Sequence, residues 1–231
     1  MEGLGPAEPL ADGRILLARG GGIGWITFNK PGRMNAMCLA MWQGLSQALA
    51  AMESDARVRV VVLSGAGERA FVSGADISEF DSARAAPDDV ARYNAITEAA
   101  NAALAGCGKP TIAAIRGYCI GGGLGLALDC DIRLAATDAQ FAIPAARLGL
   151  AYGPAGVRRL VHVVGPAAAA ELLFTAGRFD AEAARGMGLV REVVAPEALE
   201  ARAQALATRI AANAPLTLAA AKAAIAAAAA P

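Results

Sequence analysis

The sequence is poor in charged and aromatic side chains and contains a single histidine, His162. Charged residues make up 18% and aromatic residues 5% of the 231 residues, and 21 Lys and Arg balance 21 Asp and Glu. A chain without net charge has no overall attraction to nucleic acid or to an anionic membrane, so we expect neither as a partner. One histidine excludes a metal site built from several histidines and leaves any Ser-His-Asp triad dependent on His162. We therefore predict no metal site.

Targeting segments and paired-cysteine motifs are also missing. The first residues have no basic stretch followed by an apolar one, and the alanine-rich stretches are too weakly hydrophobic to span a bilayer. No C-x-x-C spacing relates the four cysteines, so free buried thiols in a reducing compartment are the simplest interpretation. The expected location is cytoplasmic.

Apolar residues are abundant, at 56% of the sequence, which is enough to build a substantial core. The pattern predicts strands at Arg14–Arg19, Gly22–Phe28, Val58–Leu63, Pro110–Ile115 and Asp131–Ala135. It predicts helices at Met37–Met52, at Pro87–Ala105, from the glycines at 121–123 through Leu128, and beyond Val194. This alternation favours an α/β fold with parallel strand pairing.

Three glycine-containing segments stand out, and the third, Phe141–Pro154, has the composition of a connection between elements. The first, Ala70–Ile77, follows a predicted buried strand, at the end where open α/β sheets bind ligands. Taken alone, it is a weak signal that a plain surface loop would also explain. Gly117–Gly123 joins a buried strand to an apolar helix, where free backbone N–H groups and the helix dipole suit a negatively charged oxygen. Close packing of the helix against the strand is the alternative interpretation. The sequence has no G-x-G-x-x-G, P-loop or G-x-S-x-G motif, so nucleotide hydrolysis and serine-hydrolase chemistry lose their usual support.

With Asn29-Lys30-Pro31 near the start and Asn213-Ala214-Pro215 near the end, these segments resemble the crotonase superfamily, whose commonest members are enoyl-CoA hydratases and isomerases. The resemblance covers nearly the whole chain. It implies a crotonase (ClpP-like) spiral of ββα units over residues 1–195. It also implies a helical C-terminal trimerisation region over residues 196–231, which we expect to be incomplete, and a homotrimer or dimer of trimers.

The resemblance further implies an acyl-CoA or enoyl-CoA substrate, as in fatty acid metabolism, with coenzyme A as part of the substrate and no other cofactor. Catalysis would use an oxyanion hole formed by the backbone N–H groups of Ala75 and Gly122. The family's substrate contacts would fall on Arg33, Ser73, Gly74, Asp76, Ile77 and Gly121.

The sequence departs from the family at the two glutamates that hydratases use to deliver water. Gly125 and Ala145 stand at those positions, and no glutamate occurs between Glu98 and Glu171. Such groups typically contribute about 10²–10⁴-fold each, so the usual hydratase mechanism cannot run on these residues. Among possible substitutes we rank Tyr152 first, because its phenol can donate a proton at neutral pH.

Other polar groups near these segments have simpler interpretations. Asp76 is expected to brace its loop, Cys119 to be buried and inert, and Asp129 to lie past the glycine-rich helix. His162 stands in an apolar stretch and is expected to pack in the core.

Three functions stay open. The chain is a hydratase or isomerase with unusual acid–base groups, an enzyme of another crotonase reaction such as decarboxylation, or a non-catalytic acyl-CoA-binding subunit. The loss of both glutamates weighs against hydration without affecting binding.

Overall fold

A computed structural model describes residues 3–76 and 87–228 of the chain. Its strands are β1 Glu8–Leu10, β2 Ile15–Gly20, β3 Ile23–Phe28, β4 Val60–Gly65, β5 Ala70–Val72, β6 Thr111–Ile115, β7 Tyr118–Ile120, β8 Ile132–Ala136, β9 Gln140–Ala142, β10 Phe179–Asp180 and β11 Glu192–Val194. Its α-helices are α1 Leu39–Ser54, α2 Pro87–Ala105, α3 Gly122–Asp129, α4 Pro154–Thr175, α5 Ala181–Gly186, α6 Leu199–Ala211 and α7 Pro215–Ala228.

A seven-stranded sheet runs in the order β1-β2-β3-β4-β6-β8-β11. Its first three strands are antiparallel, and from β3 onward every pairing is parallel. The central strands β4 and β6 are almost continuously apolar, because parallel strands covered on both faces bury their side chains in both directions.

The two faces of this sheet are covered by different helices. Ile26 and Phe28 of β3 pack on one face in a large cluster that includes α1, whereas Trp25 faces the opposite side. On that opposite side lies α6, which buries Leu199 and three alanines spaced four residues apart. Small residues at this spacing form one helix stripe that faces the sheet.

A second, four-stranded sheet has the order β10-β9-β7-β5 and determines the position of the glycine-rich segments. Strands β5, β7 and β9 are parallel, with Val72 opposite Cys119 and Cys119 opposite Phe141. Parallel neighbours end at the same edge of a sheet, so the chain segments that follow these three strands emerge side by side.

The predicted α/β class is confirmed, and the predicted strands and helices are found within a few residues of their expected bounds. Two expectations were wrong. His162 lies exposed on α4 instead of in the core, because it faces away from the stripe that contains Leu160. Asp129 is the last residue of α3 and does not lie beyond the helix.

The C-terminal part of the chain is helical, as expected, but the division into 1–195 and 196–231 stays a prediction. In the part of the chain that the structure describes, no single helix is long and apolar enough to cross a membrane. Among the described residues, one bent pair of helices, Pro196–Ala211 and Pro215–Ala228, meets that criterion by length and composition alone.

Candidate functional site

Two predicted donors, Ala75 and Gly122, lie at matching positions after neighbouring parallel strands. Val72 and Cys119 are opposite each other in β5 and β7, and the donors follow them by the same number of residues. The helix that begins at Gly122 lies tight against the end of β5, because a Cβ at Gly123 would overlap the carbonyl oxygen of Val72. The fold therefore brings the two glycine-containing segments together.

The segment that follows β5 is held by hydrogen bonds to Met37, and the Ala75 N–H points away from Met37. The N–H of Met37 donates to the carbonyl oxygen of Gly74 at 2.8 Å, and the N–H of Asp76 donates to the carbonyl oxygen of Met37 at 2.9 Å. In such a parallel bridge the intervening N–H faces the opposite side. Within the described residues no acceptor pairs with the Ala75 N–H, which leaves it available to a ligand.

Side chains of the Lys30–Asn35 turn brace this segment. Asn35 is fully buried, accepts from the Lys30 N–H at 2.9 Å and donates to the carbonyl oxygen of Ala70 at 2.7 Å. Lys30 Nζ forms an ion pair with Asp76 Oδ2 at 2.5 Å, and both groups are largely buried. Asp76 therefore braces its loop, as predicted.

The Gly121–Gly122 junction supplies the second donor. Gly121 has φ 54° and ψ −115°, a backbone conformation that favours glycine, and its N–H donates to the carbonyl oxygen of Ala142 at 2.9 Å. Its carbonyl oxygen accepts from the Gly125 N–H, so both of its polar backbone groups are used in the fold. Gly122 begins α3 and is exposed, and a first helical residue has no intrahelical acceptor for its N–H.

The predicted coenzyme A contacts lie along the same segment. Ser73 donates its N–H to the carbonyl oxygen of Met34, which places Arg33 next to the loop. Arg33 is exposed at the end of a 3-10 turn and has no carboxylate partner among the described residues, so it is available to a phosphate. Gly74 adopts φ 109° beside the carbonyl oxygen of Ile120, and Ile77 lies outside the described residues.

Tyr152 occupies the space that a side chain at position 125 would enter. A Cβ at Gly125 would lie 3.5 Å from the Tyr152 hydroxyl oxygen. A Cβ at Gly156, one turn into α4, would lie 2.8 Å from the tyrosine ring, closer than a packed carbon atom allows. The two glycines therefore make room for the ring, and the phenol lies beside position 125, the first of two at which the resemblance predicts a glutamate.

Ala145, at the second such position, contributes no proton donor. It lies in the Pro144–Leu148 3-10 turn after β9 and packs partly buried against the main core. The turn is anchored beside the glycine-rich helix, with Pro144 Cδ 4.0 Å from a Cβ built at Gly121.

Burial changes the acid–base properties of the groups around Tyr152. Desolvation, with smaller contributions from the charges of Asp129 and Cys119, raises the pKa of Tyr152 to about 12, so the phenol stays protonated at neutral pH. Burial also raises the pKa of the Cys119 thiol well above its usual value, so the thiol stays protonated at neutral pH.

Asp129 is a buried carboxyl group whose charge acts on this phenol, and sequence reasoning gave it no functional role. Burial raises its pKa to about 6, although Arg159 of α4, at 3.3 Å from Asp129 Oδ1, acts in the opposite direction. Sequence spacing alone could have found it, because residues 125 and 129 lie on one face of a helix.

Replacing Asp129 with asparagine is expected to stabilise the fold at pH 8 and not at pH 4. The folded-state pKa lies above the unfolded value of 3.8, so the free-energy cost of ionising Asp129 in the fold grows as the pH rises from about 4 and is complete above about 6. A shift of this size corresponds to roughly 2–3 kcal/mol. Urea denaturation at both pH values measures it. Asp138→Asn, which removes an exposed partner of Arg116, is the control, and an equal gain at both pH values would contradict the prediction.

Comparisons with known proteins bear on the family and the fold of this chain. The family model described as Enoyl-CoA hydratase/isomerase matches residues 18–231. The short-chain-enoyl-CoA hydratase of Clostridium acetobutylicum is 35% identical over 211 residues, which is 91% of this chain and 80% of that protein. The crotonyl-CoA hydratase of Syntrophomonas wolfei is 34% identical over 196 residues, 85% of this chain and 75% of that protein. The crystal structure of an enoyl-CoA hydratase/carnithine racemase from Magnetospirillum magneticum superposes with a TM-score of 0.89 and 42% identity, covering 92% of this chain and 80% of that one.

Proposed function

The chain belongs to the enoyl-CoA hydratase/isomerase family, and from that premise we propose that it is an enzyme that forms a thioester enolate on a short-chain acyl-CoA. The N–H groups of Ala75 and Gly122 bind the thioester oxygen, and Tyr152 exchanges a proton with the α-carbon. The observation that carries this proposal is the position of the Tyr152 hydroxyl, 3.5 Å from where a side chain at Gly125 would begin.

The reaction follows from how charge develops on the substrate. When the α-carbon loses a proton or a carboxylate, electron density moves onto the thioester oxygen. Two preorganised N–H donors stabilise that oxygen, and removing one such donor typically costs about 3–4 kcal/mol. Coenzyme A binds along the loop after β5, with the exposed Arg33 guanidinium available to its phosphates.

The single phenol favours some reactions of the family over others. Hydration needs one group to deliver hydroxide and another to deliver a proton, and Ala145 supplies neither. Isomerisation or decarboxylation needs the oxyanion hole and one proton-transferring group. We therefore favour these two reactions over hydration.

The test is exchange of the α-protons of butyryl-CoA for deuterium in D₂O, followed by mass spectrometry. This probe requires only enolate formation and is independent of the natural substrate. We expect the unaltered protein to catalyse exchange and Tyr152→Phe to slow it about 10²-fold, because phenylalanine keeps the ring but lacks the hydroxyl group that exchanges the proton.

Tyr118→Phe is the matched control, since Tyr118 lies under the Arg178 guanidinium and outside the proposed chemistry. Saturable binding of butyryl-CoA without any exchange would overturn the proposal and leave a non-catalytic acyl-CoA-binding subunit.

The predicted homotrimer, or dimer of trimers, is part of this proposal. Helix α7 has no buried residue, and its Leu216 and Ile225 are 85% and 68% exposed. These side chains support assembly through the C-terminal helices.

A further inference from the structure

The face of α3 that carries Gly125 also carries a carboxyl group one turn later. Asp129 follows Gly125 by four residues, so the two positions lie one above the other on the helix. Helical side chains lean toward the N-terminus, which directs Asp129 toward the space that the Tyr152 hydroxyl occupies. The Asp129 side chain is only 15% exposed, and the phenol is half-buried.

We propose that Asp129 is the proton partner of Tyr152. Position 125 has no carboxyl group, and the carboxyl group of Asp129, one helical turn later, acts on the substrate through the Tyr152 phenol. The inference rests on the proposed function, because it requires Tyr152 to exchange protons with the substrate. Asp129 is thus a positioning residue that acts through Tyr152 and does not touch the substrate.

The proposed proton transfer has two linked parts, one at the α-carbon and one at the Tyr152 phenol. The α-carbon C–H bond breaks, its proton forms the new O–H bond of Tyr152, and its electron pair becomes the enolate. At the same time the original tyrosine proton moves to the Asp129 carboxylate. Asp129 Oδ1 accepts a hydrogen bond from Arg159 Nε at 3.3 Å, and among the described residues no hydrogen bond joins Asp129 to Tyr152. The proposed transfer therefore passes through one bridging solvent water. The reverse steps return a solvent proton to the substrate.

The surroundings of Asp129 suit this role. Arg159 of α4 pairs with the carboxylate, Cys130 follows it in sequence, and Cys119 of β7 and Tyr152 face the same space. Arg133 of β8 donates instead to main-chain carbonyl oxygens, including that of Leu189 at 2.7 Å. Arg159 is therefore the cation that balances Asp129 when it is charged.

The electrostatics agree with this role, because burial raises the pKa of the Asp129 carboxyl group to about 6 although Arg159 acts in the opposite direction. A carboxyl group with this pKa changes its protonation near neutral pH, which is what a proton-exchanging group needs.

The experiment is the pH profile of α-proton exchange with butyryl-CoA. Exchange by the unaltered protein should fall as the pH decreases through about 6, because protonated Asp129 cannot accept the tyrosine proton. Asp129→Asn should slow exchange at least tenfold and remove that decline, whereas Arg159→Gln should move the decline to higher pH. Because asparagine is expected to stabilise the fold, loss of structure is not the expected cause.

Two further measurements distinguish a proton relay through Asp129 from a purely structural role of this residue. Adding Asp129→Asn to Tyr152→Phe should cause no further loss, since groups that act as one unit are not additive. Glu192→Gln, which breaks a similarly half-buried pair with Arg202, should leave the profile unchanged. Normal exchange and an unchanged profile in Asp129→Asn would overturn this inference alone, whereas no exchange by the unaltered protein would overturn the proposed function with it.

Discussion

Replacing Gly122 with proline is expected to slow α-proton exchange with butyryl-CoA by about 10²–10³-fold. Proline has no backbone N–H, so the substitution removes one of the two donors that we propose stabilise the developing oxyanion. The loss should appear in kcat more than in KM, because the donor binds the charged enolate oxygen more strongly than the neutral thioester.

The position allows this substitution without breaking the helix. Gly122 is the first residue of α3, where proline is tolerated because the N–H has no intrahelical partner. Gly122→Ala is the matched control, since its Cβ would lie 3.7 Å from Trp42 Cζ2, an ordinary contact, while the N–H is kept. Thermal unfolding of both variants checks that the fold is retained.

The two variants together test the assignment of the donor. We expect Gly122→Ala to exchange within a few-fold of the unaltered protein. A folded Gly122→Pro variant that exchanges at the rate of Gly122→Ala would show that the N–H at this position does not stabilise the enolate.

Restoring both family glutamates is expected to create crotonyl-CoA hydration. Each acid–base group typically contributes about 10²–10⁴-fold, so Gly125→Glu with Ala145→Glu should raise the rate by at least 10²-fold. Tyr152 obstructs this substitution, because its hydroxyl would lie 3.5 Å from a Cβ at position 125 and would block a longer side chain. The variant to test therefore also carries Tyr152→Ala, and loss of the enoyl thioester absorbance measures hydration.

Two control variants test whether the hydration comes from the two glutamates. The double variant that keeps Tyr152 should hydrate more slowly than the triple variant, because the phenol competes with Glu at 125 for one space. The same triple variant with glutamines at 125 and 145 should be inactive, since an amide does not exchange protons. If a folded triple variant hydrates no faster than the unaltered protein, the pocket is shaped for another reaction.

The motifs were sufficient to predict the family and the fold. The enoyl-CoA hydratase/isomerase family and the crotonase fold, both expected from the glycine-rich segments, are confirmed by the comparisons. These segments are informative because a tight approach of α3 to β5 tolerates only glycine at position 123. The trimer, the substrate contacts and the roles of individual side chains stay predictions.

The sequence by itself determined the α/β class, five strands and several helices of the fold, and the two glycine-containing segments on which the oxyanion prediction rests. It did not predict the short strands of the second sheet or helix α4. Hydrophobic periodicity and glycine placement are local properties, so they can be recognised without knowing which distant residues meet. Only the tertiary structure decided that His162 is exposed and that the Tyr152 hydroxyl fills the space beside Gly125. It also decided that Asp129 lies buried against Arg159, because burial and pairing arise where α3 packs on α4.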